Sequence, residues 1–319
     1  MATPLLVTLT VPLCPRRCGH CDLPVHTGDE ASTAGRQAYA QALLTEIAAM
    51  DEELAGYEIH AVRFAGGAAN HLGGPILAQL LHALAARAPL APRCEVSLAC
   101  VPTGVSIGLL EDLSHRWRLR LEIEYGTSDA LLHESLGRWF AVGAPYDAAA
   151  VARAARRPDF DFDVLYGLEG QGIPALRASI DTAARLGATH ITLRHLRLTP
   201  GTTVEAAWRT RRDHPSASPR HQFPDAEKCA QLHDAAIARL QELGYRRYTD
   251  RHFALPGHEA QRVLLEQAGV DHMGFGAGAQ SCYAGVTCQN TTDIARYRAG
   301  SGDFRQIMVA CASINGAQA

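Results

Sequence analysis

The sequence has no large excess of either charge. Against 33 Asp and Glu stand 30 Lys and Arg, a formal net charge of −3. That balance argues against nucleic acid or a membrane surface as the partner. No apolar run approaches the roughly 18 residues of a membrane span. The opening stretch MATPLLVTLTVPLC has no basic n-region, so it reads as a first strand and not as a leader. Internal repeats and low-complexity tracts are missing. So is an even, regularly spaced set of cysteines. There are nine: Cys14, Cys18, Cys21, Cys94, Cys100, Cys229, Cys282, Cys288 and Cys311. An odd, unpatterned count argues against a secreted disulfide framework and for a reducing, cytoplasmic setting. The sequon at Asn290 then carries no meaning. What the chain does have is 319 residues, 47% hydrophobic and 20% charged, enough to bury a full core.

Strand-like and helix-like segments alternate. Strands are predicted at 5–11, 60–66, 94–101, 117–125, 160–167 and 190–198. Helices are predicted at 34–54, 75–88, 105–113, 129–137, 146–157, 174–187 and 225–244, with a polar loop at 209–224. Six strands in this rhythm imply an α/β fold with a parallel sheet and right-handed crossovers. The strands also alternate internally. Leu119, Leu121, Ile123 and Tyr125 share one face, and Arg118, Arg120, Glu122 and Glu124 the other. Phe160, Phe162 and Val164 oppose Asp159, Asp161 and Asp163; Val62 and Phe64 oppose Arg63 and Ala65. An open two-faced sheet is apolar on both sides. Alternation favours a barrel, closed or partial, with helices outside and a charged interior.

Three cysteines fall within eight positions in VPLCPRRCGHCDLP (11–24), spaced C-x3-C-x2-C at Cys14, Cys18 and Cys21. A structural zinc site wants four ligands and would have to draw on His20, Cys94 or Cys100. A redox dithiol needs only Cys18 and Cys21, which leaves Cys14 superfluous. A [4Fe–4S] cluster on three thiolates leaves one iron open for a small molecule. A loop after the first strand of a parallel barrel lies at the face where such folds place their chemistry. The other cysteines read as small core residues, with Cys282 and Cys288 on a loop near the expected mouth.

Here the chain resembles the radical S-adenosylmethionine (SAM) superfamily. Within it, the resemblance is to the oxygen-independent coproporphyrinogen III oxidase-like branch, over about residues 5–298. The cysteine loop is similar to that branch's I-P-F-C-x3-C-x-Y-C-D-F. FAGGAANHL (64–72) resembles F-G-G-G-T-P-S-x-L, and EVSLACVP (95–102) resembles E-I-T-x-E-x-x-P. SLGR (135–138), DVLYGLEGQ (163–171), LGATHITLRHLRLTPGT (186–202), LGYRRYTDRHFALPGHE (243–259) and DHMGFGAGAQS (271–281) follow in order. The resemblance implies a partial (β/α)6 barrel of the TIM type over 1–250. Residues 251–319 would be a C-terminal extension closing the barrel mouth, with no separate lid domain. It implies that Cys14, Cys18 and Cys21 hold three irons while SAM chelates the fourth. Reductive cleavage of SAM would then give a 5′-deoxyadenosyl radical that abstracts hydrogen from substrate. His20 would stand against the adenine, and Gly66 and Gly67 would let the backbone approach the methionine amino group. Arg138 and Asp163 match a carboxylate partner and a ribose partner, and Gln280 a further SAM contact.

The chain also departs from that branch. Thr8, Thr10, Ala68, Ala69 and Glu169 replace family residues. The SAM-binding Glu of the third strand is Ala99, and the Gln ending the fourth is Gly126. The chain stops some 20 residues after Tyr297, without the porphyrin-covering domain, and the HNxxYW segment of the haem chaperones is missing. These departures argue against coproporphyrinogen oxidation and haem delivery. The lost acid at Ala99 is expected to be replaced by Glu122 or Glu124, and the methionine carboxylate to meet Arg120 or Arg194 as well as Arg138. Arg63, Arg118, Arg120 and Arg194 against Glu95, Glu122, Glu124, Asp159, Asp161 and Asp163 suit a small polar or zwitterionic substrate. The expectation is therefore a radical SAM enzyme of specialised metabolism, related to the class C methyltransferases. It would methylate, cyclopropanate or otherwise functionalise a C–H bond, with flavodoxin or ferredoxin as reductant and a second copy or docking protein at the mouth. The alternative is a cluster- and SAM-binding protein that cleaves SAM on the aminocarboxypropyl side or not at all, or a haem-chaperone-like carrier.

Overall fold

The computed structural model describes residues 2–114, 116–155, 159–212 and 223–313. In chain order the strands are β1 (Thr3–Val11), β2 (Tyr57–Gly66), β3 (Leu90–Cys100), β4 (Arg118–Gly126), β5 (Phe160–Tyr166), β6 (His190–His195), β7 (Arg246–Arg247), β8 (His252–Ala254), β9 (Asp271–Phe275), β10 (Gln280–Tyr283), β11 (Val286–Asn290) and β12 (Met308–Ser313). The helices are α1 (Thr33–Ala49), α2 (Asp51–Leu54), α3 (Gly74–Ala85), α4 (Ile107–Ser114), α5 (Ala130–Ser135), α6 (Ala144–Ala154), α7 (Ile173–Arg185), α8 (Thr203–Arg212), α9 (Ala226–Glu242), α10 (Gln261–Gln267), α11 (Ile294–Gly300) and α12 (Phe304–Ile307). The chain divides into two compact units. One joins Met1–Pro15, Leu23–Arg120 and Ala260–Ala319; the other joins Arg16–Asp22 and Leu121–Glu259.

In the first unit the strands run β12-β11-β10-β9-β1-β2-β3. The four from β9 to β3 are parallel, and β10 to β12 are antiparallel additions. Leu5, Val7, Leu9 and Val11 of β1 are fully buried, while Thr8 and Thr10 between them are half-buried. Helix α1 starts on Ser32, whose hydroxyl accepts the Gly35 N–H at 3.1 Å, a cap worth about 1 kcal/mol. The helix buries Tyr39, Leu43, Ile47 and an acid, Glu46. The Glu46 carboxylate accepts from the Tyr297 hydroxyl, the Gly276 amide and the Asn290 amide, each at 2.7 Å. The Tyr39 hydroxyl donates to the Thr10 carbonyl at 2.7 Å and accepts the Ala277 N–H at 2.8 Å. A second buried charge is Glu95, which meets Arg120 at 3.1 Å, both side chains fully buried.

In the second unit β4, β5 and β6 are parallel, and the short β8 and β7 follow β6 antiparallel. Leu121, Ile123, Tyr125, Phe160, Phe162 and Val164 are buried on one face, each worth about 1.5–3 kcal/mol. Glu122, Glu124, Asp161 and Asp163 lie on the other, which is the parity expected. Two of the carboxylates set against arginines meet histidines. Asp161 lies 3.1 Å from His190, and Asp159 lies 2.6 Å from His258.

Other expectations change. The helix read over 34–54 breaks at Met50 into α1 and α2. The loop read over 209–224 begins as the last turn of α8, and its residues 213–222 lie outside the described ones. The strand read over 190–198 ends at His195. Strands β7 to β12 were not predicted, so Cys282 and Cys288 sit in strands β10 and β11 and not in a loop. These strands hold two to six residues, too few for a period to emerge.

Candidate functional site

The cysteine loop passes from one unit to the other, with Cys14 in the first and Cys18 and Cys21 in the second. Cys14 is buried, and its amide donates to the His26 carbonyl at 2.9 Å, while the His26 amide donates to Pro12 at 2.7 Å. Gly66 and Gly67 end β2 against this turn. The Gly67 amide donates to the Val11 carbonyl at 2.7 Å and the Ala68 amide to Leu13 at 2.8 Å. A Cβ on Gly67 would stand 2.5 Å from the Leu13 carbonyl oxygen. The glycine pair therefore lets β2 close onto the residues that lead into Cys14. Gln280, in the same unit, is exposed at the start of β10 opposite Gln289.

The second unit fixes the rest of the loop. Gly19 donates to the Gly137 carbonyl at 3.0 Å and accepts from the Val204 amide at 3.0 Å and the Thr203 hydroxyl at 3.1 Å. The His20 Nδ1 lies 3.0 Å from the Leu136 carbonyl. A carbonyl only accepts, so this contact makes Nδ1 the protonated nitrogen. Helix α5 positions these partners. Its N-cap Asp129 accepts the Leu131 and Leu132 amides, and the chain leaves the helix at Leu136 to present Gly137, Arg138 and Trp139.

Arg138 is the centre of the charge cluster. Its side chain is 1% exposed, 2.7 Å from Glu124 and 3.9 Å from Asp163, with the guanidinium 5.2 Å above the Phe140 ring. Its Nε and Nη2 are buried without hydrogen-bond partners among the described residues. Asp163 accepts the Tyr125 amide at 2.6 Å. The guanidinium fits because residue 126 is glycine. Gly126 has φ +79°, and a Cβ there would lie 2.9 Å from Nη2. Sequence reasoning missed this link between two motif positions twelve residues apart.

The two carboxylates titrate in opposite directions. Burial disfavours charge on Glu124, but Arg138 and Arg194 outweigh it and hold Glu124 low. Burial and the Glu124 charge push Asp163 up to about 6, only partly offset by Arg138 and Arg194. Like charges sharing a cation separate in this way. Burial also opposes the charge of Arg194, but Asp163, Glu124 and Glu122 raise it overall. So Glu124, not Glu122, is the acid that Arg138 engages, and Glu122 belongs to the surroundings of Arg194. Burial, then Arg138, lowers His20 to about 4, which keeps its imidazole neutral.

Thiolate is the donor type that an iron–sulfur cluster takes. Cys14, Cys18 and Cys21 stand outside any disulfide, and each thiolate of a cubane goes to a different iron. Burial raises Cys18 against the pull of Arg138 and the Trp139 amide, so its thiol stays protonated until a metal displaces the proton. Among the described residues no three His, Cys, Asp or Glu side chains are grouped to hold a single ion. Cys94 and Cys100 are core residues. Burial and neighbouring Glu95 push Cys94 up to about 12, and the Cys100 thiol donates to the Leu98 carbonyl at 3.3 Å. The unpartnered donors of Arg138 suit a ligand carboxylate.

No family model matches the chain. It is 28% identical over 284 residues to the heme chaperone HemW of Mycobacterium tuberculosis, covering 89% of this chain and 70% of that protein. To HemW of Escherichia coli it is 24% identical over 279 residues, covering 86% and 69%. The solved structure of coproporphyrinogen III oxidase from Escherichia coli, a radical SAM enzyme, superposes with a TM-score of 0.81 at 18% identity, covering 98% of this chain and 72% of that one. The fold is thus the α/β partial barrel of radical SAM proteins, as the strand pattern predicts. Along most of its length the chain is similar to the branch of the radical SAM superfamily that holds the oxygen-independent coproporphyrinogen III oxidases and the HemW proteins. A further similar fold, Streptococcus suis SuiB at a TM-score of 0.51 and 13% identity, is solved bound to S-adenosylmethionine. No helix among the described residues is long and apolar enough to cross a membrane.

Proposed function

We propose that this chain holds a [4Fe–4S] cluster on Cys14, Cys18 and Cys21 with SAM beside it, and works as a haem carrier of the HemW kind. The observation that carries this reading is the match along nearly the whole chain to proteins bearing that name. It displaces the enzyme of specialised metabolism, a methyltransferase above all, that the departures in the SAM motifs suggest. The reading assigns Arg138 to the SAM carboxylate, Asp163 to the ribose and His20 to the adenine. It takes Gly66, Gly67, Glu122 and Gln280 as further candidate SAM contacts. The bound cluster would offer its open iron to SAM; the chain's residues orient that ligand and neutralise its charges. A second reading is a SAM-cleaving enzyme acting on a small polar substrate with a flavodoxin or ferredoxin as reductant. It is favoured by the charged cluster of Glu124, Arg138, Asp163 and Arg194.

The test is anaerobic reconstitution, followed by haem titration through the Soret band and mass spectrometry of SAM under reduction. Saturable haem binding with SAM left intact is expected. Absent haem binding together with 5′-deoxyadenosine formation would replace this reading with the second. Cys18→Ala should lose the visible cluster absorption; a full complement of iron in that variant would remove Cys18 from the ligand set.

A further inference from the structure

Two cysteines outside the cluster loop face one another in the first unit. Cys288 on β11 and Cys311 on β12 are directly opposed in the antiparallel register, between the pairs Thr287–Ala312 and Gln289–Ala310. Their sulfurs stand 2.6 Å apart. Directly opposed residues of an antiparallel pair have Cα atoms about 4.5–5.5 Å apart, inside the span a disulfide bridges. Neither residue takes part in the site described above. We propose that Cys288 and Cys311 are an oxidation site that a small-molecule disulfide such as glutathione disulfide converts to a protein disulfide.

Exposure sets the order of attack. Cys311 is exposed and Cys288 buried, so the Cys311 thiolate reaches the oxidant first. It attacks one glutathione sulfur, breaks the glutathione S–S bond and expels one glutathione thiolate, which takes up a proton. Cys288 sulfur then attacks the Cys311 sulfur, forms the Cys288–Cys311 bond and releases the second glutathione as its thiol. Two protein thiols are oxidised and one glutathione disulfide is reduced. Burial and the adjacent Cys311 push the Cys288 thiol up to about 12, which keeps it from initiating; the Cys311 contribution ends once that sulfur is in the mixed disulfide. Cys282 is close in sequence but pairs with Thr287. It therefore points to the opposite face of the sheet from Cys288, although it is exposed.

The bond would clip β12, the strand at the end of the sheet order, to β11. The loop it closes contains Asn290 and Tyr297, two of the three groups bonded to Glu46. Oxidation would thus brace the segment that anchors α1.

The experiment treats the cluster-loaded protein with glutathione disulfide under argon, alkylates it, and maps linked peptides by mass spectrometry. The expected result is a linkage between the peptide ending at Arg296 and the peptide following Arg305, with the mass of two hydrogens lost. It should survive Cys282→Ser and vanish in Cys288→Ser. Amide exchange in β12 should slow on oxidation and recover with dithiothreitol. Alkylation of both cysteines, a glutathione adduct persisting on Cys311, or a link through Cys282 would each overturn the proposal. The Cys282→Ser arm and the exchange measurement on wild-type protein decide the matter even if Cys288→Ser fails to fold.

Discussion

Replacing Glu46 by Gln should remove much of the pH dependence of stability between weakly acidic and weakly basic conditions. Burial drives the Glu46 carboxyl from 4.5 up to about 7, although Tyr297, Gly276 and Asn290 all donate to it. The folded protein therefore holds this proton more tightly than the unfolded chain, and stability falls as pH rises. The group's contribution is intact below about pH 4.5 and is lost as pH passes through about 7. A rise from 4.5 to about 7, at about 1.4 kcal/mol per pKa unit, amounts to about 3 kcal/mol. Most of that falls between about pH 5 and about pH 8. Urea unfolding of wild type and Glu46→Gln at those two pH values measures it. The wild-type unfolding free energy should drop by about 2–3 kcal/mol more than the variant's. Any constant offset from the amide meeting Gly276 and Asn290 cancels in that comparison. Parallel pH profiles would refute the reasoning, because they would mean that Glu46 is ionised throughout and that its three donors outweigh burial.

Two further substitutions probe the supports of the site and core. Gly67→Ala places a methyl against the Leu13 carbonyl, and overpacking of this kind costs about 1–3 kcal/mol. Lowered stability should appear together with lowered iron content after reconstitution; unchanged iron would separate the glycine pair from the cysteine loop. Arg120→Met takes the buried arginine from Glu95 and leaves it the more exposed Arg118 at 3.6 Å, a loss of up to about 3–5 kcal/mol in unfolding free energy. Adding Glu95→Gln should recover most of it while keeping an acceptor for the Gln261 amide, which lies 3.0 Å from the Glu95 carboxylate.

The alternation in β4 and β5 made their buried and polar faces legible, because a strand buried on one side repeats every two residues. The C-x3-C-x2-C spacing of Cys14, Cys18 and Cys21 stands out in the sequence because it is kept while neighbouring motifs change. The partners of the acids were not. Asp159 and Asp161 meet His258 and His190, residues distant in sequence that a count of arginines overlooks. The C-terminal strands were hidden for another reason. DHMGF and QSCY are short and separated by the glycine-rich turn GAGA, and only their pairing with β1 and with each other makes them strands. The glycines at 66 and 67 were legible as a close approach, but the neighbour they admit within this unit is the backbone of Val11 and Leu13.

The fit of Arg138 over Gly126 has a consequence for engineering. A side chain such as glutamine cannot simply be added at 126, because its first carbon would crowd the guanidinium and its backbone would have to leave a conformation that favours glycine. The two positions form a single mutational unit. A chain that acquired a side chain at 126 would have to move or lose the arginine at 138 in the same step. Laboratory attempts to convert this pocket into that of a relative should therefore randomise both codons together, since either change alone crosses a valley.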